Sequence, residues 1–281
     1  MLGWGAGHRR DFPWRQTRDP WRVLVSEVML QQTQADRVVA YYESFLRAFP
    51  TAASCGRAPA AEVVRRWSGL GYNRRALNLH RAAVRITEDH GGTVPGTERE
   101  LRALPGVGPY TARAVLAFAF EADVAPVDTN VVRVLARSVH GAALTLPAAQ
   151  LLADRLLPPG QAWEFNQTLF DVGATVCTAR PACARCPLRR QCRWHRSGWA
   201  EPDPWRGSPT ARPQSAFAGS DRQGRGRLLD ALRWGGVPQG ALAQACGWPD
   251  DEPRAGRIAS ALVAEGFATW TAGSAPLLRL R

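Results

Sequence analysis

The chain has 281 residues, 45% of them hydrophobic, enough for a core of ordinary size and for two domains. Its formal net charge of +12 points to a polyanionic partner, because phosphates neutralised by protein cations release condensed counterions. No charged and apolar leader pattern opens the chain and no stretch reaches the roughly 18 apolar residues of a bilayer span, which argues against export and membrane insertion and predicts an intracellular location.

Through residues 1 to 196, apolar side chains recur at three- and four-residue spacing, as in Val23, Leu24, Val28 and Leu30 or Val131, Val134 and Leu135, without convincing strand alternation. This stretch reads as an all-α domain, broken at Phe49–Thr51, Gly91–Gly96 and Leu157–Gly160. Residues 197–220 turn to Gly, Pro, Ser, Ala and Arg and read as a linker. A small second domain is expected over 221–281. Helices at Arg225–Trp234, Gln239–Cys246 and Arg254–Glu265, followed by a hairpin within Ala268–Leu280, make it winged-helix-like. Its Arg222, Arg225, Arg227 and Arg233 are expected to add sequence-independent, salt-sensitive affinity for DNA. Arg225 and Arg233 fall roughly two turns apart on one side of a helix, which suits a phosphate contact or simply a solvated face.

Three motifs carry chemistry. Leu104–Ala112 (LPGVGPYTA) places Gly106 and Gly108 between two helices, so that bare N–H groups at the second helix can approach a phosphate; this is a helix-hairpin-helix signature, or else a plain helix connector. Asp128 precedes a helix expected at Val131–Val139, where an aspartate also serves as an N-cap. Cys177, Cys183, Cys186 and Cys192, spaced C-x5-C-x2-C-x5-C in a chain of six cysteines, suit thiolates converging on a soft metal centre. The lone C-x2-C departs from the two pairs usual for zinc; zinc and disulfides are the alternatives.

Together with Asp11–Arg15 (DFPWR), Ser26–Gln34 (SEVMLQQTQ), Gly69–Tyr72 (GLGY), Asp128–Arg133 and Phe165–Gln167, these motifs resemble a known family over residues 9 to about 196. It is the helix-hairpin-helix DNA glycosylases with a [4Fe-4S] cluster, and within it the MutY-type adenine-specific mismatch glycosylases. Endonuclease III-type relatives share the hairpin, the aspartate and the cluster but not the glutamate of SEVMLQQT.

The resemblance implies a base-excision repair hydrolase that removes adenine mispaired with 8-oxoguanine or guanine in double-stranded DNA, acting as a monomer and leaving an abasic site. It gives Glu27 the role of general acid at adenine N7 and Asp128 that of the carboxylate stabilising an oxocarbenium-like sugar. Tyr110 would hydrogen-bond the acid and Asn130 would support the aspartate. Arg10, Trp14, Leu30 and Asp171 would surround the excised base, while Gln32, Thr33, Leu70 and Tyr72 would wedge the duplex and hold the opposite base. The four cysteines would hold the cluster. Helical spacing puts Glu27, Leu30, Gln31 and Gln34 near one face, with apolar neighbours that raise the acid's pKa.

The chain contains no lysine. Glycosylases that also cut the strand attack with a lysine amine, which endonuclease III-type enzymes carry in the hairpin where this chain has Tyr110, so a monofunctional glycosylase is expected. Three features depart from the family: the first cysteine gap is one residue shorter, only eight residues precede Arg9 so that the first helix is truncated, and the tail does not resemble the usual nucleotide-hydrolase-like reader of 8-oxoguanine. Losing the tail should therefore cost less discrimination than losing that reader would. The alternatives are a thymine or uracil glycosylase at mismatches with guanine, and a non-catalytic iron-sulfur DNA-binding regulator.

Overall fold

The computed structural model describes residues 1–206 and 216–281, so part of the expected linker, 207–215, lies outside the described residues. In chain order, the helices are α1 (Leu2–His8), α2 (Pro20–Leu30), α3 (Ala35–Ala48), α4 (Ala52–Arg57), α5 (Ala60–Arg66), α6 (Arg74–Asp89), α7 (Glu98–Ala103), α8 (Pro109–Ala119), α9 (Thr129–Leu135), α10 (Leu146–Leu156), α11 (Ala162–Asp171) and α12 (Arg193–Arg196). No strand interrupts them among the described residues, in keeping with the all-α expectation. The tail continues with α13 (Asp221–Trp234), β1 (Val237–Pro238), α14 (Leu242–Cys246), α15 (Glu252–Ala264), β2 (Ala268–Trp270) and β3 (Leu277–Leu280). None of the described helices is long and apolar enough to cross a membrane.

Two compact units divide the chain. One comprises Met1–Val28, Val94–Ala103 and the described part of Val107–Pro213; the other comprises Met29–Thr93, Leu104–Gly106 and the described part of Gln214–Arg281.

In the first unit the core gathers Val131, Val132, Val134 and Leu135 of α9 with Ala149 and Ala153 of α10 and Phe165 and Leu169 of α11. The α9 sequence TNVVRVL is rich in β-branched residues and a poor helix former by itself; burial on every side and the Asp128 cap hold it helical. The helix expected to reach Val139 leaves α-geometry after Leu135, continues as a π-turn over Ala136–His140 and stops at Gly141 in the left-handed region (φ 80°). A second π-turn, Val172–Val176, follows α11 and delivers the chain to Cys177. Such turns in helices occur often at functional sites.

The turn between α7 and α8 carries Gly106, which belongs to the second unit and adopts φ 79°; a Cβ there would lie 2.7 Å from the Asn78 Cβ, so this position demands glycine twice over. The tail folds in the order helix, strand, helix, helix, hairpin, with a three-stranded antiparallel sheet β1-β3-β2. That is the winged-helix order. Leu228, Leu229, Leu232, Leu242, Leu262, Phe267 and Leu278 fill its interior. Gly224 of α13 leaves room for the Trp248 ring, which a Cβ would meet at 2.1 Å.

Arg225 and Arg233 do not present a phosphate-binding face. Arg225 is bound bidentately by Glu265 (3.0 and 2.9 Å), and Arg233 donates to the Val64 carbonyl (3.3 Å) and Asn73 Oδ1 (2.8 Å). Their partners lie on other segments of the same unit, which a helix-face argument does not see.

Candidate active site

Glu27 sits in α2, where Val23, Leu24, Val25, Ser26, Val28 and Met29 are all buried. The helix is therefore covered on all sides, and the glutamate is only 4% exposed. Its Oε2 is buried without a hydrogen-bond partner. Burial raises its pKa to about 7; the hydrogen bond from Tyr110 opposes the rise, the charge of Asp128 adds to it, and the charge of Arg15 opposes it. Burial and the nearby Glu27 push the Tyr110 hydroxyl well above its usual range, so it remains a donor to the acid at neutral pH. The Tyr110 ring stacks on Phe170 of α11, centroids 6.4 Å apart.

The helix does not run on to Gln31 and Gln34 as the periodicity predicts. It ends at Leu30, and Gln32 takes a left-handed backbone (φ 56°), so the apolar shell of Glu27 comes from buried residues of α2 before that point.

Asp128 is the N-cap of α9: Oδ1 accepts from the Val131 N–H (2.7 Å) and Oδ2 from Asn130 Nδ2 (2.8 Å). Asn130 is held in turn, its Oδ1 accepting from Arg133 Nη2 at 2.7 Å. Arg133 also donates to the Gly173 (2.7 Å) and Cys177 (2.6 Å) carbonyls. A continuous set of hydrogen bonds thus joins Asp128 to the first residue of the cysteine loop.

Asp171, almost completely buried, has both oxygens taken. Arg15 binds it bidentately (2.7 and 2.9 Å), and Arg10 adds Nε at 2.7 Å and its backbone N–H at 3.2 Å. Burial alone would raise its pKa, but Arg15 and Arg10 hold it below the usual carboxylate range. Trp14 is buried and stacks on Phe12 at 4.8 Å. Arg15, part of the DFPWR string but given no role from sequence, thus links the Asp171 cluster to Glu27.

In the second unit, Gln32, Thr33, Leu70 and Tyr72 line one groove, and Leu30, the last residue of α2, is not among the residues lining it. Arg75 organises the groove's two loops. Its guanidinium donates to the Met29 (2.7 Å), Gln31 (2.6 Å) and Gly71 (3.1 Å) carbonyls and to Thr33 Oγ1 (3.1 Å). Burial pushes its pKa down to about 10. No sequence signal separates this arginine from the others. Of the hairpin glycines, Gly106 is conformationally required, whereas Gly108 (φ −88°) N-caps α8 with open space around it.

Cys177, Cys183, Cys186 and Cys192 line one cavity with Val134, Val172, Val176, Leu188 and Trp194. All are free thiols, which leaves the disulfide alternative without support. Among the described residues no three His, Cys, Asp or Glu side chains close on a single metal ion. The donor set still suits a soft, larger group: four sulfurs share an apolar cavity, and Arg137 reaches Cys177 Sγ at 3.7 Å. Arg137, 1% exposed, is fixed by Asp203 (2.9 and 2.6 Å) and donates to the Thr178 carbonyl at 2.6 Å.

The family model for the HhH-GPD superfamily base excision DNA repair protein matches residues 25–143. The structure of a thermostable thymine-DNA glycosylase superposes with a TM-score of 0.64 at 33% identity, covering 70% of this chain and 93% of that one. The adenine DNA glycosylase of Homo sapiens is 41% identical over 208 residues, 69% of this chain and 38% of its own length. The adenine DNA glycosylase of Mycobacterium tuberculosis is 44% identical over 278 residues, 96% of this chain and 90% of its own, so the likeness takes in the C-terminal module as well. With that identity along nearly the full length of both chains, the chain belongs to the adenine DNA glycosylases, base-excision repair enzymes of the HhH-GPD superfamily.

Proposed function

We propose that the chain excises adenine mispaired with 8-oxoguanine or guanine in double-stranded DNA, hydrolysing the N-glycosidic bond and leaving an abasic site. The observation that carries this reading is Glu27, a buried acid with a pKa near 7 and a charged neighbour in Asp128. At neutral pH a large fraction of it keeps the proton that adenine N7 must receive. As the bond between C1′ and N9 breaks, its electron pair leaves with the protonated base, and Asp128 faces the cationic sugar until water adds at C1′ and gives up a proton. Tyr110 positions the acid; Asn130 positions the aspartate.

Arg10, Trp14 and Leu30 border the base, and Asp171, its oxygens already committed, holds Arg10 and Arg15 in place. Gln32, Thr33, Leu70 and Tyr72 wedge the duplex, while the N–H groups around Gly106 and Gly108 meet phosphate. The 221–281 module is a separate DNA-binding element, and the enzyme works as a monomer on the bacterial chromosome.

A panel of duplexes with A opposite 8-oxoguanine, A opposite G, T opposite G and U opposite G tests the assignment. Adenine should be released from the first two, and the product strand should stay intact until alkali is added, since no lysine is present to form a Schiff base. Release of thymine or uracil instead, or rapid nicking at neutral pH, would overturn the assignment.

The four cysteines would hold a [4Fe-4S] cluster, which when bound supplies a structural clamp for the loop Cys177–Cys192. The loop's Arg180, Arg185, Arg189 and Arg190 are exposed and suited to phosphate. Purified protein should be yellow-brown with about four irons per chain, and Cys183→Ala or Cys186→Ala should lose the colour and weaken duplex binding. Colourless protein with a single zinc would refute the assignment.

A further inference from the structure

Arg137 lines the same cavity as the four cysteines and is almost completely buried, so each of its donors must find a partner inside the protein. A guanidinium has five N–H groups, and here five contacts match them. Nε and Nη2 take the two oxygens of Asp203 at 2.9 and 2.6 Å, and Nη2 also reaches the Ala179 carbonyl at 3.4 Å. Nη1 donates to the Thr178 carbonyl at 2.6 Å and to Cys177 Sγ at 3.7 Å. The fork is planar and rigid, so a carboxylate that grips its Nε–Nη2 edge aims the remaining Nη1 edge at the start of the cysteine loop.

Asp203 comes from outside the cysteine motif. Residues 200–206 lie in the stretch expected as a linker, yet they fold back onto the first unit. Trp194 Nε1 donates to the Ala200 carbonyl at 3.0 Å, and the Trp205 N–H fixes the carboxylate by donating to Asp203 Oδ1 at 3.0 Å. Trp205 packs against the core around α9, where the Arg133 guanidinium lies over its ring at 5.3 Å. Asp203 is only 7% exposed, and a carboxylate buried to that extent needs a cation beside it; Arg137 is that cation.

We infer that Asp203 is a positioning residue for the cysteine site: it holds Arg137 so that one guanidinium N–H stays on Cys177 Sγ, and residues 200–206 strap the cysteine loop to the π-turn that carries Arg137. This rests on the reading of the four cysteines as a [4Fe-4S] site. Partners of this kind, one step removed from the ligands, set how tightly a metal group is kept.

The test uses the full chain as purified with its iron. Iron released to a ferrous chelator is followed through the coloured chelate and through the fading of the protein's own visible absorbance, below the melting temperature of every variant. Asp203→Asn should release iron about tenfold faster than wild type. Asp154→Asn, which removes an ion-pair partner of Arg113 in the same unit, should release it at the wild-type rate. Arg137→Lys keeps the charge but not the planar fork; it should match Asp203→Asn, and the double variant should be no faster than either. The midpoint potential separates positioning from charge. A hydrogen bond to a ligand sulfur raises the potential, so both single variants should lower it, whereas loss of the Asp203 charge by itself would raise it. Additive losses in the double variant, or a raised potential in Asp203→Asn, would overturn the inference. Wild type purified without iron would sink the cluster reading and the inference together; wild type that holds iron no better than Asp203→Asn does would sink the inference alone.

Discussion

Glu27→Gln is expected to lower single-turnover adenine excision by roughly 100- to 10,000-fold, the usual worth of a general acid, while leaving duplex affinity intact. The amide fills the same volume, and Tyr110 can still donate to its oxygen, so the loss isolates the proton. In wild type, excision should decline as pH rises through about 7, where the acid gives up that proton. The same shift makes a stability prediction of definite sign. Glu27 binds its proton more tightly folded than unfolded, so the stability it contributes is fully present below pH 4.5 and is lost as pH rises to about 7. A shift of this size amounts to about 3 kcal/mol. Glutamine does not titrate, so the variant should gain on wild type between pH 5 and pH 8 in thermal melts. Parallel melting curves at the two pH values, with excision undiminished, would show that Glu27 is neither buried as an acid nor catalytic.

The parts of this site written in short strings are legible in the sequence alone. The segment Ser26–Gln34, the hairpin turn, Asp128–Arg133 and the cysteine spacing each encode local chemistry, and the structure brings Glu27, Tyr110, Asp128 and Asn130 together in one unit. The winged-helix order of the tail is likewise written in its periodicity, except for β1, whose two residues are too few to alternate. What the sequence does not show is decided by distant partners. Nothing in the run Met29-Leu30-Gln31-Gln32 stops a helix; the Arg75 guanidinium stops it, taking the carbonyls of Met29 and Gln31 from 46 and 44 residues away. Arg15, Arg133 and Arg137 are invisible for a related reason. Among 36 basic residues, composition cannot say which are buried and which face solvent, and for Arg225 and Arg233 the helix-face argument chooses wrongly because their partners lie on other segments.

Asp128 has two roles, and one substitution can separate them. As an N-cap it needs only an acceptor for the Val131 N–H, which asparagine supplies as well as aspartate. Toward Asn130 the two residues differ. Arg133 donates to Asn130 Oδ1, which fixes the amide so that its Nδ2 points at Asp128 Oδ2. Position 128 must therefore present two acceptors, a condition only a carboxylate meets. In Asp128→Asn the oxygen keeps the cap, the new amide nitrogen faces the Asn130 nitrogen, and the lost hydrogen bond should cost about 1–3 kcal/mol of stability. Far more should be lost in catalysis, because the negative charge opposite the forming sugar cation disappears, and removing an electrostatic partner of that kind lowers rates on the order of 100- to 1,000-fold. Single-turnover excision measured well below the variant's melting temperature separates the two losses. Excision at the wild-type rate in a folded Asp128→Asn protein would reduce Asp128 to a helix cap and leave the sugar cation without its partner.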